Sequence, residues 1–271
     1  MDPVLVSRGE SPLVLGLPHT GTHVPDDIAD KLNEEGRLLR DTDWHIDKLY
    51  EGLVPGATTV RATFHRYVID PNRDPSGVSL YPGQSTTGLV PLSNFDNVPI
   101  WKTGAEPDEA EITRRKNAFH APYHAALMAE LERVRAIHGY AVLYDCHSIR
   151  SVIPWLFEGT LPDFNIGTDM GRTCAPEIEQ AAMEATAATG RTHVLNGRFR
   201  GGWTTRHYGR PEEGFHAVQM ELAQVSHLEN EEPPFALHDE KTTRLRGELR
   251  HILNEILRAA ASTATRADKP C

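Results

Sequence analysis

Short apolar runs alternate with longer stretches of helical periodicity along most of the chain. The apolar runs, each of which predicts a strand, lie at 13–17, 58–69, 140–146, 152–157, 193–196 and 218–222. Helical patterns lie between them, at about 25–39, 44–53, 108–138, 170–189 and 239–260. Because strands that alternate with helices favour a central sheet covered on both faces, we expect an α/β protein. Its predicted architecture is a three-layer α/β/α sandwich with a mixed, mostly parallel central sheet.

Two stretches depart from this alternation. Residues 70–104 are rich in Pro, Gly, Asn and Ser and show little periodicity, which predicts a long loop excursion that could cover a site. Residues 262–271 are typical of a disordered tail. The length of 271 residues allows one large domain or two smaller ones. We favour a single domain over 1–271.

The charge and the apolar content limit the classes of partner. A formal net charge of -10 argues against nucleic-acid binding and against attraction to an anionic membrane, so any anion site must be local. No apolar segment is long enough to span a bilayer, and the first residues lack the pattern of a signal peptide. Three cysteines without CxxC spacing argue against a disulfide framework. We therefore expect a cytoplasmic protein.

Two of the predicted strands run directly into histidines. The run at 13–17 is followed by Pro18-His19, and the run at 140–146 leads through Asp145 to His147. Open α/β sheets keep their chemistry at the carboxyl ends of strands, so one shared metal site is indicated. Asp145 is expected to face the same way as His147 and to accept its ring N–H. The alternatives are a helix-capping histidine and a buried structural Asp–His pair.

A second polar cluster follows the first predicted helix. The stretch from Asp41 to Asp47 holds three aspartates and His45. Asp43 could be a metal ligand, since zinc accepts His nitrogen and Asp oxygen together. An aspartate at a helix start is also a common cap. The form Asp43-Trp-His45-Ile-Asp47 matches the DxHxD pattern of dimanganese ureohydrolase-like enzymes, which we keep as an alternative although the later DxD pair of that class is missing.

A basic stretch lies on this otherwise acidic chain. Four arginines and several glycines fall within fifteen residues without an acid among them, at Asn196-Gly-Arg198-Phe-Arg200-Gly-Gly-Trp-Thr-Thr-Arg206-His207-Tyr208-Gly-Arg210. Arginine forks match carboxylates, so a small anionic substrate is indicated. The alternative is an exposed loop that is salt-bridged to the acidic surface. Further on, Glu221 stands alone in an apolar run, where burial would tune it for acid/base work.

These segments, in this order, resemble the N-formylglutamate deformylase (N-formylglutamate amidohydrolase) family. The matching stretches run from about Leu13 to Arg258 and are Pro18-His19-Thr-Gly21, Asp41-Thr-Asp43-Trp-His45, Val68-Ile-Asp-Pro-Asn72-Arg73, Asp145-Cys-His147-Ser-Ile-Arg150, Leu161-Pro-Asp-Phe-Asn165, Asn196-Gly-Arg198, Thr205-Arg206-His207-Tyr208-Gly209 and Gln219-Met-Glu221. Each stretch alone is common, whereas the combination is specific.

The resemblance implies a fold like that of zinc carboxypeptidases and aspartoacylase, with a phosphorylase/hydrolase-like mixed sheet of eight strands. In those relatives a His-x-x-Glu, an Asn-Arg pair, a later His and a late Glu form the site. The chain departs from this at Thr22, three residues after His19, which cannot replace a zinc carboxylate. We assign that ligand to Asp43, with His45 and His23 as substitutes.

The activity implied is hydrolysis of N-formyl-L-glutamate to formate and L-glutamate, the last step of a histidine degradation route. One Zn²⁺ per chain is expected on His19, Asp43 and His147, with Asp145 behind them. The catalytic residues implied are Glu221, Arg73 and His207. The residues implied for binding the dianionic substrate are Asn72, Arg73, Arg150, Asn196, Arg198, Arg206 and Tyr208. The alternatives are a related N-acyl-amino-acid hydrolase or carboxypeptidase-like enzyme and a non-catalytic amino-acid-binding protein, and the oligomeric state stays open.

Overall fold

A seven-stranded mixed sheet forms the centre of the protein, as described by a computed structural model for residues 1–79, 83 and 85–267. The strands are β1 (Val4–Ser7), β2 (Leu13–Leu17), β3 (Thr58–Ala62), β4 (Ala141–Ile149), β5 (Phe164–Gly167), β6 (His193–Leu195) and β7 (Phe215–Ala223). Their order across the sheet is β1-β3-β2-β4-β7-β5-β6. Four of the six neighbouring pairs are parallel, and only β1 with β3 and β5 with β7 are antiparallel. The predicted mixed, mostly parallel sheet is confirmed.

Helices cover both faces of this sheet. They are α1 (Asp26–Ala29), α2 (Glu34–Arg37), α3 (Ile46–Tyr50), α4 (Glu109–Arg115), α5 (Ala121–His138), α6 (Pro176–Ala187), α7 (Trp203–Tyr208) and α8 (Asp239–Ala267). A π-helical turn, Lys116–His120, joins α4 to α5, and 3₁₀ turns occupy Pro211–Glu213 and Gln224–Ser226. Within the described part of the chain, no helix is both long and apolar enough to cross a bilayer.

The alternation along β2 shows how the two faces are filled. Leu13, Leu15 and Leu17 pack into one core cluster, together with residues of α3, α6 and α8. Val14 points the other way, into a second cluster formed with residues of α1 and α5. Because successive strand residues face opposite sides, an entirely apolar strand must be covered twice. The three-layer sandwich is therefore confirmed.

Several predicted elements differ from the observed ones. The strand predicted at 152–157 is wrong: the chain turns there, because the Leu156 and Phe157 amides donate to the Ile153 carbonyl, and these side chains pack with Phe199 in a small separate cluster. The helix predicted at 25–39 is split into α1 and α2, and Asn33 caps the second by accepting from the Gly36 amide. The described residues form seven strands rather than the eight implied by the resemblance.

The remaining differences concern short or terminal segments. The sequence patterns gave no signal for β1, β5 or α7, which have four, four and six residues and so carry little periodicity. Helix α8 continues to Ala267 and so includes residues 262–267 of the segment for which a disordered tail is predicted. Residues 268–271 of that tail lie outside the described residues, as do 80–82 and 84 of the excursion.

Candidate active site

The site lies where the parallel strands β2, β4 and β7 end. In the register of β4 with β7, His147 is level with Glu221 and Asp145 is level with Gln219. Level residues on neighbouring parallel strands point to the same side of a sheet, so the pairing brings a histidine beside a carboxyl group. His19 follows the last residue of β2 by two positions. Backbone pairing therefore fixes three chemical groups at one edge of the sheet.

His19, Asp43 and His147 converge in a buried group, which we call the metal-type cluster. The Nδ1 atoms of the two histidines are 3.2 Å apart. Asp43 Oδ2 lies 3.2 Å from His147 Nδ1 and 3.6 Å from His19 Nδ1. The Asp43 amide also donates to the His19 carbonyl, which ties the two backbone segments together. Among the residues described, this is the one group of three His, Cys, Asp or Glu side chains close enough to share a metal ion.

Carboxylates hold the far side of both imidazole rings. His19 Nε2 lies 2.8 Å from Asp70 Oδ1, and His147 Nε2 lies 3.0 Å from Asp145 Oδ1. Asp145 also accepts a 2.9 Å hydrogen bond from the Thr205 hydroxyl. A carboxylate on the outer nitrogen is the usual second partner of a metal-binding histidine, because it fixes the ring and raises its basicity. The donor set and its supports therefore fit Zn²⁺.

The electrostatics of the cluster favour a cation at its centre. Burial lowers the pKa of His147, but Asp145 and Asp43 raise it by more, so that it lies well above the ordinary value. Burial alone would raise the pKa of Asp43. The charges and hydrogen bonds of His19 and His147 lower it by a larger amount, so the pKa of Asp43 lies below its usual range. Arg66 and then Arg73 similarly outweigh burial and hold the pKa of Asp70 well down. The aspartates stay ionised around a point where positive charge is stabilised.

A cavity of about 570 Å³, including its mouth, opens onto this cluster. Its lining residues are His19, Arg66, Asn72, Arg73, Thr86, Thr87, Phe95, His147, Ile149, Leu156, Arg198, Phe199, Gly202, Gln219 and Glu221. A concave site that combines apolar rings with a few convergent polar groups is typical of small-molecule binding. Metal-type ligands at its base and arginines along its walls suit a small anion.

The three arginines of the cavity have different neighbours. Arg66 is buried, donates to Asp70 Oδ2 at 2.8 Å and stacks over the Phe95 ring at 4.8 Å. Arg73 donates to the carbonyl and hydroxyl oxygens of Thr87. Arg198 donates to the carbonyl oxygens of Leu156 and Ser85. Arg66 is thus part of the metal-site framework, whereas Arg73 and Arg198 bring positive charge to the cavity wall, and Arg73 Nη1 also lies 3.7 Å from Asp70 Oδ2.

Glu221 is buried beside the histidine cluster. Gln219 donates to Glu221 Oε2 at 3.2 Å and accepts from the Gly202 amide at 2.6 Å. Burial raises the pKa of the Glu221 carboxyl to about 8. A carboxyl group that holds a proton near neutral pH is suited to general acid/base chemistry.

Other sequence-predicted residues lie away from the cavity lining. His45 Nε2 lies 2.8 Å from the Phe235 carbonyl, and His23 is half-buried beside Phe64. Asp47 pairs with Arg61 at 3.0 Å, so the DxHxD stretch sends only its first aspartate to the metal-type cluster.

The basic stretch from Asn196 to Arg210 does not form one surface. Only Arg198 of its arginines lines the cavity. Arg206 donates to the Gly201 carbonyl and lies 3.4 Å from Asp169, and Asn196 bonds Thr168. The other predicted site residues of this stretch, His207 and Tyr208, lie in the short helix α7. There the His207 ring stacks on the Trp203 ring, and Tyr208 is buried.

Arg150 also lies outside the lining. Its guanidinium donates to Asp96 at 2.7 Å and so contacts the excursion. The structure therefore brings together His19, Asp43, Asn72, Arg73, His147, Arg198 and Glu221, with Asp145 behind them, but not Arg150, Asn196, Arg206, His207, Tyr208, His23 or His45.

Sequence reasoning missed several residues of the site. Asp70 and Arg66 support His19, while Phe95 and Thr87 line the cavity from the excursion. A signal existed only for Asp70, which lies within the Val68-Ile-Asp-Pro-Asn-Arg stretch. The others come from irregular chain in which no periodicity points to a face.

The family profile described as N-formylglutamate amidohydrolase matches residues 11–228. The matched range includes every group of the cavity and of the metal-type cluster. The chain belongs to the N-formylglutamate amidohydrolase family. The resemblance seen in the sequence motifs is thereby confirmed.

Individual proteins named as members of this family are similar in sequence to this chain over nearly its whole length. N-formylglutamate deformylase of Pseudomonas aeruginosa is 45% identical over 261 residues, which are 95% of this chain and 97% of that protein. The enzyme of the same name from Pseudomonas putida is 45% identical over 260 residues, with the same coverage. The crystal structure of N-formylglutamate amidohydrolase from Ralstonia eutropha JMP134 superposes with a TM-score of 0.78 at 30% identity, covering 98% of this chain and 100% of that one. A gene product of Agrobacterium tumefaciens shares the fold, with a TM-score of 0.69 at 18% identity over 95% and 96% of the chains.

Proposed function

We propose that this protein hydrolyses N-formyl-L-glutamate to formate and L-glutamate, using one Zn²⁺ ion held by His19, Asp43 and His147. The observation that carries the proposal is the placement of this buried donor set at the base of an arginine-lined cavity, in a chain of this family. In the cell, the reaction would be the last step of a histidine degradation route in the cytoplasm.

The ion, when bound, would polarise the formyl carbonyl and lower the pKa of a water molecule. Glu221 borders the same space and would accept the proton of the attacking water. It would then donate that proton to the departing amine, which leaves as glutamate. Its raised pKa helps the second transfer, because the buried carboxyl group is not stabilised as a free anion.

The side walls account for a dianionic substrate. Arg73 and Arg198 would each bind one carboxylate of formylglutamate through charge-assisted hydrogen bonds. Asn72 lines the cavity, with Nδ2 at 3.2 Å from His147 Nε2, and would orient the amide. Phe95, Leu156 and Phe199 form apolar parts of the cavity wall and would limit the access of water to the substrate.

Formate release from N-formyl-L-glutamate by the purified protein tests the proposal. The assay is run on the protein as isolated, after treatment with a chelator, and after Zn²⁺ is added back. Activity that disappears with chelation and returns with zinc is the expected result. Activity that survives complete removal of metal would overturn the metal mechanism.

The same assay with other N-acyl glutamates and amino acids tests the substrate. Release of a longer acyl group in preference to formate would instead identify a related N-acyl-amino-acid hydrolase. Binding of formylglutamate by the zinc-loaded protein without any formate would indicate a non-catalytic binding protein.

A further inference from the structure

Two histidines that lie outside the cavity contact the segment that carries Asn72 and Arg73. His120 ends the π-helical turn and His124 lies in the first turn of α5, so the two are four residues apart on one helical face. π-Helical turns occur frequently at functional sites because they change which side chains a helix presents.

Both histidines bind backbone carbonyl groups of that segment. His124 Nε2 lies 2.7 Å from the Pro71 carbonyl oxygen, and His120 Nε2 lies 3.0 Å from the Arg73 carbonyl oxygen. A carbonyl oxygen can only accept, so each Nε2 carries the proton and donates it. The two hydrogen bonds therefore hold the backbone on either side of Asn72.

Helix α7 fixes the state of the His124 ring. The Tyr208 hydroxyl lies 3.0 Å from His124 Nδ1, and Trp203 packs edge-on against the ring with 4.6 Å between centroids. Burial lowers the pKa of His124 to about 3, so the ring is neutral. With its proton on Nε2, the His124 ring presents an accepting Nδ1 to the Tyr208 hydroxyl, which also donates to the His124 carbonyl oxygen at 3.2 Å.

The segment held in this way supplies two groups to the cavity. Asn72 places Nδ2 beside His147 and accepts from the Thr204 amide at its Oδ1. Arg73 points its guanidinium toward the cavity from the next position. Movement of either flanking peptide group would displace both side chains together.

We propose that His120 and His124 are positioning residues, which hold the Asn72-Arg73 segment in its substrate-binding conformation through the carbonyl groups of Arg73 and Pro71. Neither histidine lines the cavity or contacts the metal-type cluster. The inference rests on the proposed function for its kinetic effect, because Arg73 is assigned there to a substrate carboxylate.

Matched pairs of substitutions separate the hydrogen bond from the packing. Gln can donate from its side-chain amide to a carbonyl group, whereas Met has a similar length but no donor. For zinc-loaded His124→Met and His120→Met we expect a KM for N-formyl-L-glutamate that is about fivefold higher, with a smaller change in kcat, since a lost hydrogen bond is worth roughly 1 kcal/mol, which is about fivefold in an equilibrium constant. The metal content should stay unchanged, and His124→Gln and His120→Gln should recover most of the loss.

The control is His138→Met on the same helix. His138 Nε2 also contacts a carbonyl oxygen, that of Glu10, but at the opposite end of α5. Its replacement should leave KM unchanged, which shows that the effect does not come from loss of any histidine on α5. If one Met variant fails to fold, the pair at the other histidine decides the matter.

Hydrogen exchange of the 70–74 segment, followed by mass spectrometry, tests the positioning without substrate. The Asn72 amide donates to Asp70 Oδ1 at 2.8 Å and reports on the order of this segment. Faster exchange in the Met variants, with exchange like the wild type in the Gln variants, is the expected result. Wild-type protein without deformylase activity would overturn the proposed function alone, whereas Met variants with wild-type KM and wild-type exchange would overturn the positioning role.

Discussion

Glu221 is the single side chain on which the proposed chemistry depends most. We expect Glu221→Gln to retain the metal and to lose about 100-fold or more in kcat, because the amide can neither accept nor return a proton. Steady-state formate release together with metal analysis measures both effects. Glu130→Gln is the control, since Glu130 pairs with Arg8 and Arg133 outside the cavity. An unchanged kcat in Glu221→Gln would remove this residue from the mechanism.

Asp70 acts one contact further from the reaction. It lies 2.8 Å from His19 Nε2 and accepts from Arg66, so it sets the orientation of the ring. We expect Asp70→Asn to weaken zinc binding by about 10–100-fold, the usual effect of losing such an orienting partner. Competition with a chromophoric chelator measures the affinity. Asp47→Asn should leave zinc affinity unchanged, because Asp47 pairs with Arg61 instead. Equal affinities for wild type and Asp70→Asn would contradict this role.

At the scale of elements, the close approach of α7 to the Asn72 segment is decisive. Gly202 precedes α7, and a Cβ there would lie 2.3 Å from Asn72 Nδ2. The backbone of Gly202 (φ -77°) suits any residue, so the conflict is one of space alone.

We therefore expect Gly202→Ala to displace Asn72 and to reduce kcat/KM by about tenfold or more, with zinc binding retained. Gly247→Ala is the matched control, since a Cβ in that part of α8 meets no neighbouring atom within 4 Å. It should raise the free energy of unfolding by about 0.5–1 kcal/mol through helix propensity and leave activity unchanged. Kinetics and urea unfolding of both variants check these outcomes, and full activity in Gly202→Ala would show that Asn72 tolerates the shift.

At the scale of the whole molecule, buried neutral histidines make stability depend on pH. His227 is fully buried, its Nε2 donates to the Trp44 carbonyl at 3.1 Å, and burial lowers its pKa to about 4. Between its ordinary pKa of 6.5 and about 4, the unfolded chain binds a proton that the folded chain does not. The stability from this group is therefore present above pH 6.5 and is lost as the pH falls toward 4.

From these values we expect His227 to make the protein about 2 kcal/mol less stable at about pH 5 than at about pH 7. His227→Gln keeps a donor for the Trp44 carbonyl but cannot titrate, so its loss of stability over the same range should be smaller by that amount. Urea unfolding of both proteins at the two pH values measures the difference. The exposed His251→Gln should keep the wild-type dependence. An identical loss in wild type and His227→Gln would show that other groups dominate.

The sequence by itself determined the layered α/β fold and the chemical groups at the ends of its strands. Alternation of apolar runs with helical periods is a local property, and it requires a sheet covered on both faces whatever the details of packing. The same rule predicted that His19 and His147 would meet, because the carboxyl ends of parallel strands share an edge. The family could be recognised because its motifs lie at those ends in a fixed order.

Only the tertiary structure decided which other side chains reach the cavity. Arg66, Thr87 and Phe95 belong to irregular chain between β3 and α4. The path of this chain depends on distant contacts, such as the hydrogen bond from the Phe95 amide to the Asp41 carboxylate. Likewise, Arg198 and Arg206 look equivalent in the basic stretch. Arg198 lies in the loop before α7 and lines the cavity, whereas Arg206 lies in α7 and faces Asp169. Periodicity identifies the face of a regular element, whereas the direction of a loop side chain follows from the contacts that the complete fold provides.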